Sequence, residues 1–529
     1  MKKRWGLIVF VAIISFFSGG WLLRGANAKS NAMAGPELLG RVLQFVGEYY
    51  VDELPQDSIY HMAAAGVLDQ LNDPYSSLEE GEDYRQLTEV TSGNYGGLGM
   101  QIDVRDGWIT IVAPLPETPA ARAGIEAGDQ VIEVDGKSTQ GLSQDAAVKT
   151  LRGTPGTKVV LKVHRPGFAT PLPFALTREL IHNRSVQPGT MLEGGIGYIS
   201  LLTVSDSSAR ELGREIDKLK TKGMTGLILD VRGNPGGLLD QGAAVSDVFL
   251  DPGAKIVSTH GRFPEMNKEF TDHAPQRYPD LPIVVLVNEF SASAAEIIAG
   301  ALQDNDRAVV VGVPTFGKGL VQSFWTLGQG AGLKLTTGRW YTPSGRTIQR
   351  KARNQEDQVR QATLQASGKD TVVKVLPTFK TISGRLVGGG GGIVPDRIVR
   401  SDTLTNGERA FAKALGTNIT AYRDALTATA LEVKEKKLVT AEDFKVTLGM
   451  RQALVDRLKA KGIALAVDDV QNGATLIDDQ LSYEIARYVF GREGELRRRD
   501  ADDPQVHAAL ALLRKATNPR ALLAEVAGQ

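Results

Sequence analysis

An α/β multidomain fold is what the sequence predicts: a small β-rich module beside an α/β core, with helical regions at both ends. The 529 residues are too many for one compact core. Between Gly93 and His164 short strand-like runs dominate. From Gly194 to about residue 400 apolar strand runs alternate with helical stretches, the pattern of a largely parallel sheet.

Composition removes several function classes. Lys+Arg and Asp+Glu are both 61, so bulk charge gives no case for a nucleic-acid partner. The chain has no Cys, which excludes disulfides, thiolate metal sites and a cysteine nucleophile. The six His show no metal-ligand spacing, and no metal or cofactor is implied.

The elements follow in chain order. Residues 1–28 carry a basic start (Lys2, Lys3, Arg4), an apolar run over 6–23 and a small A-x-A end, Ala26-Asn-Ala28. That is a cleaved secretory signal or a retained single-span membrane anchor, and either places the rest outside the cytoplasm, on the periplasmic or cell-envelope side. Residues 37–88 form a helical segment, with Leu38, Leu39, Val42, Leu43 and Val46 at three- and four-residue steps. The β-rich module spans 89–168, with strands at Met100–Val104, Trp108–Pro114, Gln130–Val134 and Lys158–His164 and a helix at Gln144–Leu151. The α/β core spans 169–400, and its run Gly388–Gly392 reads as a flexible loop. Residues 401–529 read as a helical domain, with apolar steps in Ala410–Leu415, Leu454–Leu458 and Val506–Leu513. Its expected role is partner docking or self-association into a homo-oligomer.

Three stretches of the core carry candidate chemistry. In the first, a buried strand ending at Val287 turns through Ser291-Ala-Ser-Ala-Ala-Glu-Ile297 into a helix. Ser293 falls at the helix start, where free N–H groups and the dipole favour a developing anion. A serine there is also a common N-cap, a role open to Ser291 as well. In the second, Thr315-Phe-Gly-Lys-Gly319 puts Lys318 in a glycine loop after an apolar strand. A lysine with a disfavoured ammonium acts as a base; an exposed lysine would be inert. Gly319 after Lys318, in place of Ser or Thr, rules out a phosphate loop. In the third, Leu229-Asp-Val-Arg-Gly-Asn-Pro-Gly-Gly237 leads from a strand into a glycine turn able to present a backbone N–H to an oxyanion.

Together with Tyr341-Thr-Pro-Ser-Gly345 and Gly392-Ile-Val-Pro-Asp396, these stretches resemble the carboxyl-terminal processing, or tail-specific, serine proteases, over roughly residues 37–400. The Tyr341 motif lacks one spacer residue of the family pattern, and Ala295 stands where Ser is commoner. The resemblance implies a PDZ domain joined to an α/β Ser/Lys protease core. It makes Ser293 the nucleophile, Lys318 the general base, Gln322 the residue that orients the lysine and Glu296 a supporting group. It places the oxyanion hole at Gly236 and Ala294, with Gly237 as the fallback. Tyr95-Gly-Gly-Leu-Gly-Met100 resembles a PDZ carboxylate loop, so Gly97, Leu98, Gly99 and Met100 are the expected peptide-binding residues. Ala146, Ala147 and Leu151 are the expected helical wall of the groove, and Arg152 a regulatory link from the PDZ domain to activity. The implied protein is an exported endopeptidase that cuts protein or peptide substrates near apolar carboxyl termini. The alternative is a PDZ adaptor or scaffold with an inactive core.

Overall fold

The computed structural model describes residues 35–165, 167–328, 330–351, 355–366, 377–401 and 404–526. The expected export segment, 1–28, lies outside them. The chain forms two compact units, one of residues up to Gly81 with Gln322–Thr336, the other of Glu82–Val321 with Thr337 onward. In the first, helices at 35–49 and Gln56–Asp69 precede the strand Ser77–Glu80. That strand pairs antiparallel with Ala331–Lys334, and the Lys334 ammonium meets the Glu79 carboxylate at 2.8 Å.

The second unit opens with the β-rich module. Its sheet runs β1 (Met100–Arg105), β2 (Trp108–Pro114), β3 (Gln130–Val134), β4 (Lys158–His164) and β5 (Leu172–Thr177), with β1 at a free edge. Strict alternation in β4 sends Val159, Leu161 and Val163 into the core and Lys158, Lys162 and His164 outward. Helix α1 (Gln144–Leu151) is capped by the Ser143 hydroxyl, which accepts the Ala146 N–H at 3.2 Å. The module was expected to end at 168, yet β5 pairs with β4 from Lys158↔Thr177 to Val163↔Leu172. Pro173 obscured this strand, and it is tolerated because β5 ends its sheet.

The core sheet runs β6 (Thr190–Leu192), β7 (Ile196–Ser200), β8 (Gly226–Asp230), β9 (Ile283–Val287), β10 (Val309–Gly312) and β11 (Arg397–Ile398). Every pairing from β7 to β11 is parallel. Helices α2 (Ser208–Thr221), α3 (Leu239–Asp247) and α4 (Ala294–Asp304) supply apolar residues to the cluster built on Leu227, Leu229, Val285 and Val310. All of α4 is buried, polar residues included, and Gly242 of α3 lets the Ala294 methyl approach closely.

Past residue 404 come α5 (Asn406–Leu415), α6 (Ile419–Glu435), α7 (Leu448–Ala460) and α8 (Ala474–Ala501), which share a core of Phe411, Tyr422, Leu454, Leu481 and Ile485. Ala127 of the β-rich module packs against it. The last helices, α9 (Pro504–Leu513) and α10 (Pro519–Ala524), lie elsewhere. Val506, Ala509, Leu512, Leu513 and Leu522 cluster with Ile228, Val284, Leu286, Val309 and Val311 on the opposite face of the parallel sheet. The helical region expected over 401–529 therefore divides between two cores.

Candidate active site

Ser293 lies at the junction between β9 and α4, half-buried among buried neighbours. Its backbone sits at φ 53° and ψ −116°, a region that L-residues avoid and functional turns impose. The turn before it is tied on both sides. Ser291 Oγ donates to Val231 O at 2.8 Å and accepts the Asn288 N–H at 3.0 Å, so Ser291 braces the turn and does not cap α4. Ala292 N–H donates to Asn234 O at 2.9 Å.

Glu296, one turn into α4, organises the rest. It is fully buried. One carboxylate oxygen accepts the N–H groups of Ser293 at 2.8 Å and Lys318 at 2.9 Å. The other accepts the Thr315 hydroxyl at 2.5 Å and the Gly317 N–H at 2.7 Å. The backbone nitrogens of Ser293 and Lys318 are thus no further apart than the sum of two hydrogen-bond lengths. Burial pushes the Glu296 pKa up, while bonds from Thr315, Lys318, Gly317 and Ser293 pull against that rise. Phe316 N–H donates to Ser291 O at 3.1 Å, a second link between the serine turn and the lysine loop. The loop is held from behind as well, with Lys318 O accepting the Trp340 indole N–H at 3.0 Å and Gly317 O accepting from Gln358 at 2.7 Å.

The five motifs quoted from the sequence all meet α4. Ser344 and Arg346 bind Asp304 at its end, and Asp396 accepts from the Gln303 amide at 3.0 Å. Ile393 N–H donates to the Thr315 hydroxyl at 2.6 Å. The glycine run packs tightly and is not a loose loop: a Cβ at Gly392 would lie 2.3 Å from Thr315 O.

The glycine turn corrects one expectation. Gly236 abuts the serine, since a Cβ there would lie 2.8 Å from both Ala294 N and Ser293 Cβ. Yet its N–H donates to Asn234 Oδ1 at 2.8 Å. Gly236 thus contributes the lack of a side chain beside Ala294 N and not a free donor. Among the described residues, the N–H groups of Ala294 and Gly237 carry no hydrogen-bond acceptor. Gln322, in the other compact unit, donates its amide to Thr336 Oγ1 at 3.3 Å.

Two supports went unassigned in the sequence. Asn234 is fully buried and donates to Leu201 O at 2.8 Å while it accepts from Gly236. Thr315 bridges Glu296 to Ile393. The hub role of Glu296 had a signal, because Ser293-Ala-Ala-Glu296 has the spacing at which a glutamate reaches back to the N-cap N–H.

In the β-rich module Gly97, Leu98, Gly99 and Met100 line a groove of about 180 Å³ whose far wall includes Gln144, Val148 and Leu151. Those wall residues fall at helical spacing. Ala147, expected on the wall, is buried in the module's own core, and Ala146 does not line the groove. Gly99 has φ 73°, and any side chain there would strike Thr118. The Arg152 guanidinium stacks over the Tyr95 ring at 4.6 Å and pairs with Glu89.

Residues 195–359 match peptidase family S41, and residues 110–165 match the PDZ domain. The carboxy-terminal-processing protease of Bartonella bacilliformis is 38% identical over 327 residues, 61% of this chain and 74% of that protein. The carboxy-terminal processing protease CtpA of Bacillus subtilis is 35% identical over 344 residues, 65% of this chain and 73% of that protein. The carboxyl-terminal-processing protease of Synechocystis is 39% identical over 297 residues, 54% of this chain and 68% of that protein. The chain belongs to peptidase family S41 and is a carboxy-terminal processing peptidase of the serine type, with a PDZ domain.

Proposed function

We propose that the protein is an exported endopeptidase that cuts substrates near apolar carboxyl termini with a Ser293/Lys318 dyad, the tail being held by the PDZ groove. The carrying observation is the shared Glu296 oxygen that fixes the two backbones side by side. In this mechanism Lys318 Nζ takes the Ser293 Oγ proton as that oxygen attacks the scissile carbonyl. The oxyanion is received by Ala294 N–H and, on the glycine turn, by Gly237 N–H. The tetrahedral intermediate collapses to an acyl-enzyme as Lys318 returns its proton to the leaving amine. Water, deprotonated by the same lysine, then releases the acyl group. Glu296 positions both partners through their main chains. Arg152 transmits the state of the groove.

Export rests on the basic start and the apolar run over 6–23. Among the described residues no helix is long and apolar enough to cross a membrane. Fractionating cells and measuring the mass of the mature chain separates a cleaved signal from an anchor.

The catalytic test is kinetic. Ser293→Ala and Lys318→Ala each abolish cleavage of an unfolded protein with a free apolar tail, and the double variant is no worse than either single one. A Lys318→Ala enzyme with near-wild-type kcat at neutral pH would sink the dyad.

A further inference from the structure

The carboxylate loop Gly97–Gly99 leads directly into β1, a strand with one free edge. A tail whose carboxylate sits on that loop must run antiparallel to β1, each earlier residue lying further toward Arg105. Its hold grows with length only while β1 offers main-chain donors and acceptors along that edge.

Which groups those are follows from the pairing. Ile111 of β2 turns its main chain toward β3, donating to Asp129 O and accepting from Gly128 N, both at 2.8 Å. By strand alternation Ile109 faces the same way. Their partners across the β1–β2 ladder are Ile102 and Val104, which therefore direct their N–H and C=O groups to the free edge.

Two of those groups are already engaged. The Gln144 amide crosses the groove from α1 and donates to Ile102 O at 3.2 Å. The Asp103 carboxylate accepts the Val104 N–H at 2.8 Å. That carboxylate is itself held, by Arg105 at 2.7 Å and by Arg423 of α6 at 3.4 Å. Blunting an edge in this way is how sheets refuse a further strand.

We propose that this PDZ groove is a short one, which reads only about the last three residues of a tail, because Gln144 occupies the carbonyl that the third residue from the end would use and Asp103 the N–H that the fifth would use. The loop N–H groups, Met100 and the Ile102 N–H remain for the tail end. Residues further upstream gain no main-chain hydrogen bonds and contribute little to selection. The inference rests on the reading that the tail binds in this groove. It makes Gln144 a specificity-determining residue and α6 a support for the plug.

The test measures binding to the full chain carrying Ser293→Ala, so that nothing is cut. The probes are N-acetylated peptides of three, five and seven residues, all ending Val-Ala-Val with a free carboxylate, plus the amidated three-residue peptide. The expected affinities for the three lengths agree within about twofold, and the amide binds far more weakly. Gln144→Ala, a change at an exposed side chain, frees the Ile102 carbonyl for the N–H of the third residue from the tail end and should tighten all three lengths about threefold to tenfold, the worth of one released hydrogen bond. Asp103→Ala frees the Val104 N–H for the fifth residue and should make the five- and seven-residue peptides bind about threefold to tenfold tighter than the three-residue one. A rise of more than about tenfold from three to seven residues without these changes would overturn the short groove while leaving tail recognition intact. Equal binding of the acid and its amide would instead overturn tail recognition, and the short groove with it.

Discussion

The backbone of Ser293 offers a test that is independent of turnover. At φ 53° and ψ −116° the residue occupies conformational space that favours glycine. A side chain there costs about 1–3 kcal/mol. Ser293→Ala removes the hydroxyl but keeps the Cβ, and so keeps the strain. Ser293→Gly removes both, at an entropic cost of about 0.5–1 kcal/mol in the unfolded chain. The glycine variant should therefore be the more stable of the two by about 1 kcal/mol. For a core of this size that is roughly 2–4 °C in the melting midpoint. Both variants lack the nucleophile, so self-cleavage distorts neither measurement. Differential scanning calorimetry of the two, side by side, reads the difference in the core transition. If Ser293→Gly melts at or below Ser293→Ala, the turn is not strained, and the idea that the protein spends stability to aim its serine is wrong.

Three more perturbations test the site and its frame. Gly236→Ala would place a methyl 2.7 Å from Ala292 O and 2.8 Å from Ala294 N, so by crowding the Ala294 N–H it should lower kcat about 10²- to 10³-fold, the loss expected when one oxyanion donor is blocked, and unchanged kcat in steady-state assays would refute the placing of the oxyanion at Ala294 N. Ending the chain at Asp502 strips α9 and α10 from Ile228, Val284, Leu286, Val309 and Val311, so the truncated protein should be insoluble; a soluble form that still cleaves a short peptide would show that these helices are dispensable. Burial, with Asp230 and Asp503 nearby, pushes the Asp500 pKa up to about 7 against the opposing charges of Arg232 and Arg492. Between about pH 4 and 7 the unfolded chain loses this proton while the folded one keeps it, so stability falls as pH rises through that window, by up to about 4 kcal/mol. Asp500→Asn removes the effect, and its melting advantage over the parent should be larger at pH 8 than at pH 5; an equal advantage at both would contradict the assignment.

The site was legible in the sequence to an uneven degree. Lys318 and Ser293 stood out because small residues surround each and a buried strand precedes each, and both signals are local. Glu296 looked secondary because its importance is not local: it lies in the bonds it accepts from Thr315 and Gly317 across the fold. Asn234 was hidden for the same reason. In a turn an asparagine reads as a turn residue, whereas here its side chain reaches Leu201, just past the end of β7. Gly388–Gly392 read as loose because glycine runs usually are, but Gly392 is required by the nearness of Thr315 O, which only coordinates reveal. The strand Leu172–Thr177 was missed because Pro173 argues against a strand, and only its place at the end of the sheet removes the objection.

The double role of the last 120 or so residues follows from handedness. Strands β7, β8, β9 and β10 are neighbours in chain order, and all pair in parallel. Right-handed crossovers that always step the same way place every connecting helix on one face. Helices α2, α3 and α4 do share one cluster. A parallel sheet buried on one face only would leave its other apolar side in water, which such sheets do not tolerate. Among the described residues between 194 and 400 no helix joins the cluster on that face, and α9 with α10, from further along the chain, cover it. The junction also touches the chemistry. Arg232, between the end of β8 and the glycine turn, binds Asp230, Asp503 at 2.5 Å and Gln505 at 2.8 Å. The chain's final helices therefore anchor the turn that faces Ser293, while α5 to α8 pack separately and support the edge of the PDZ groove through Arg423.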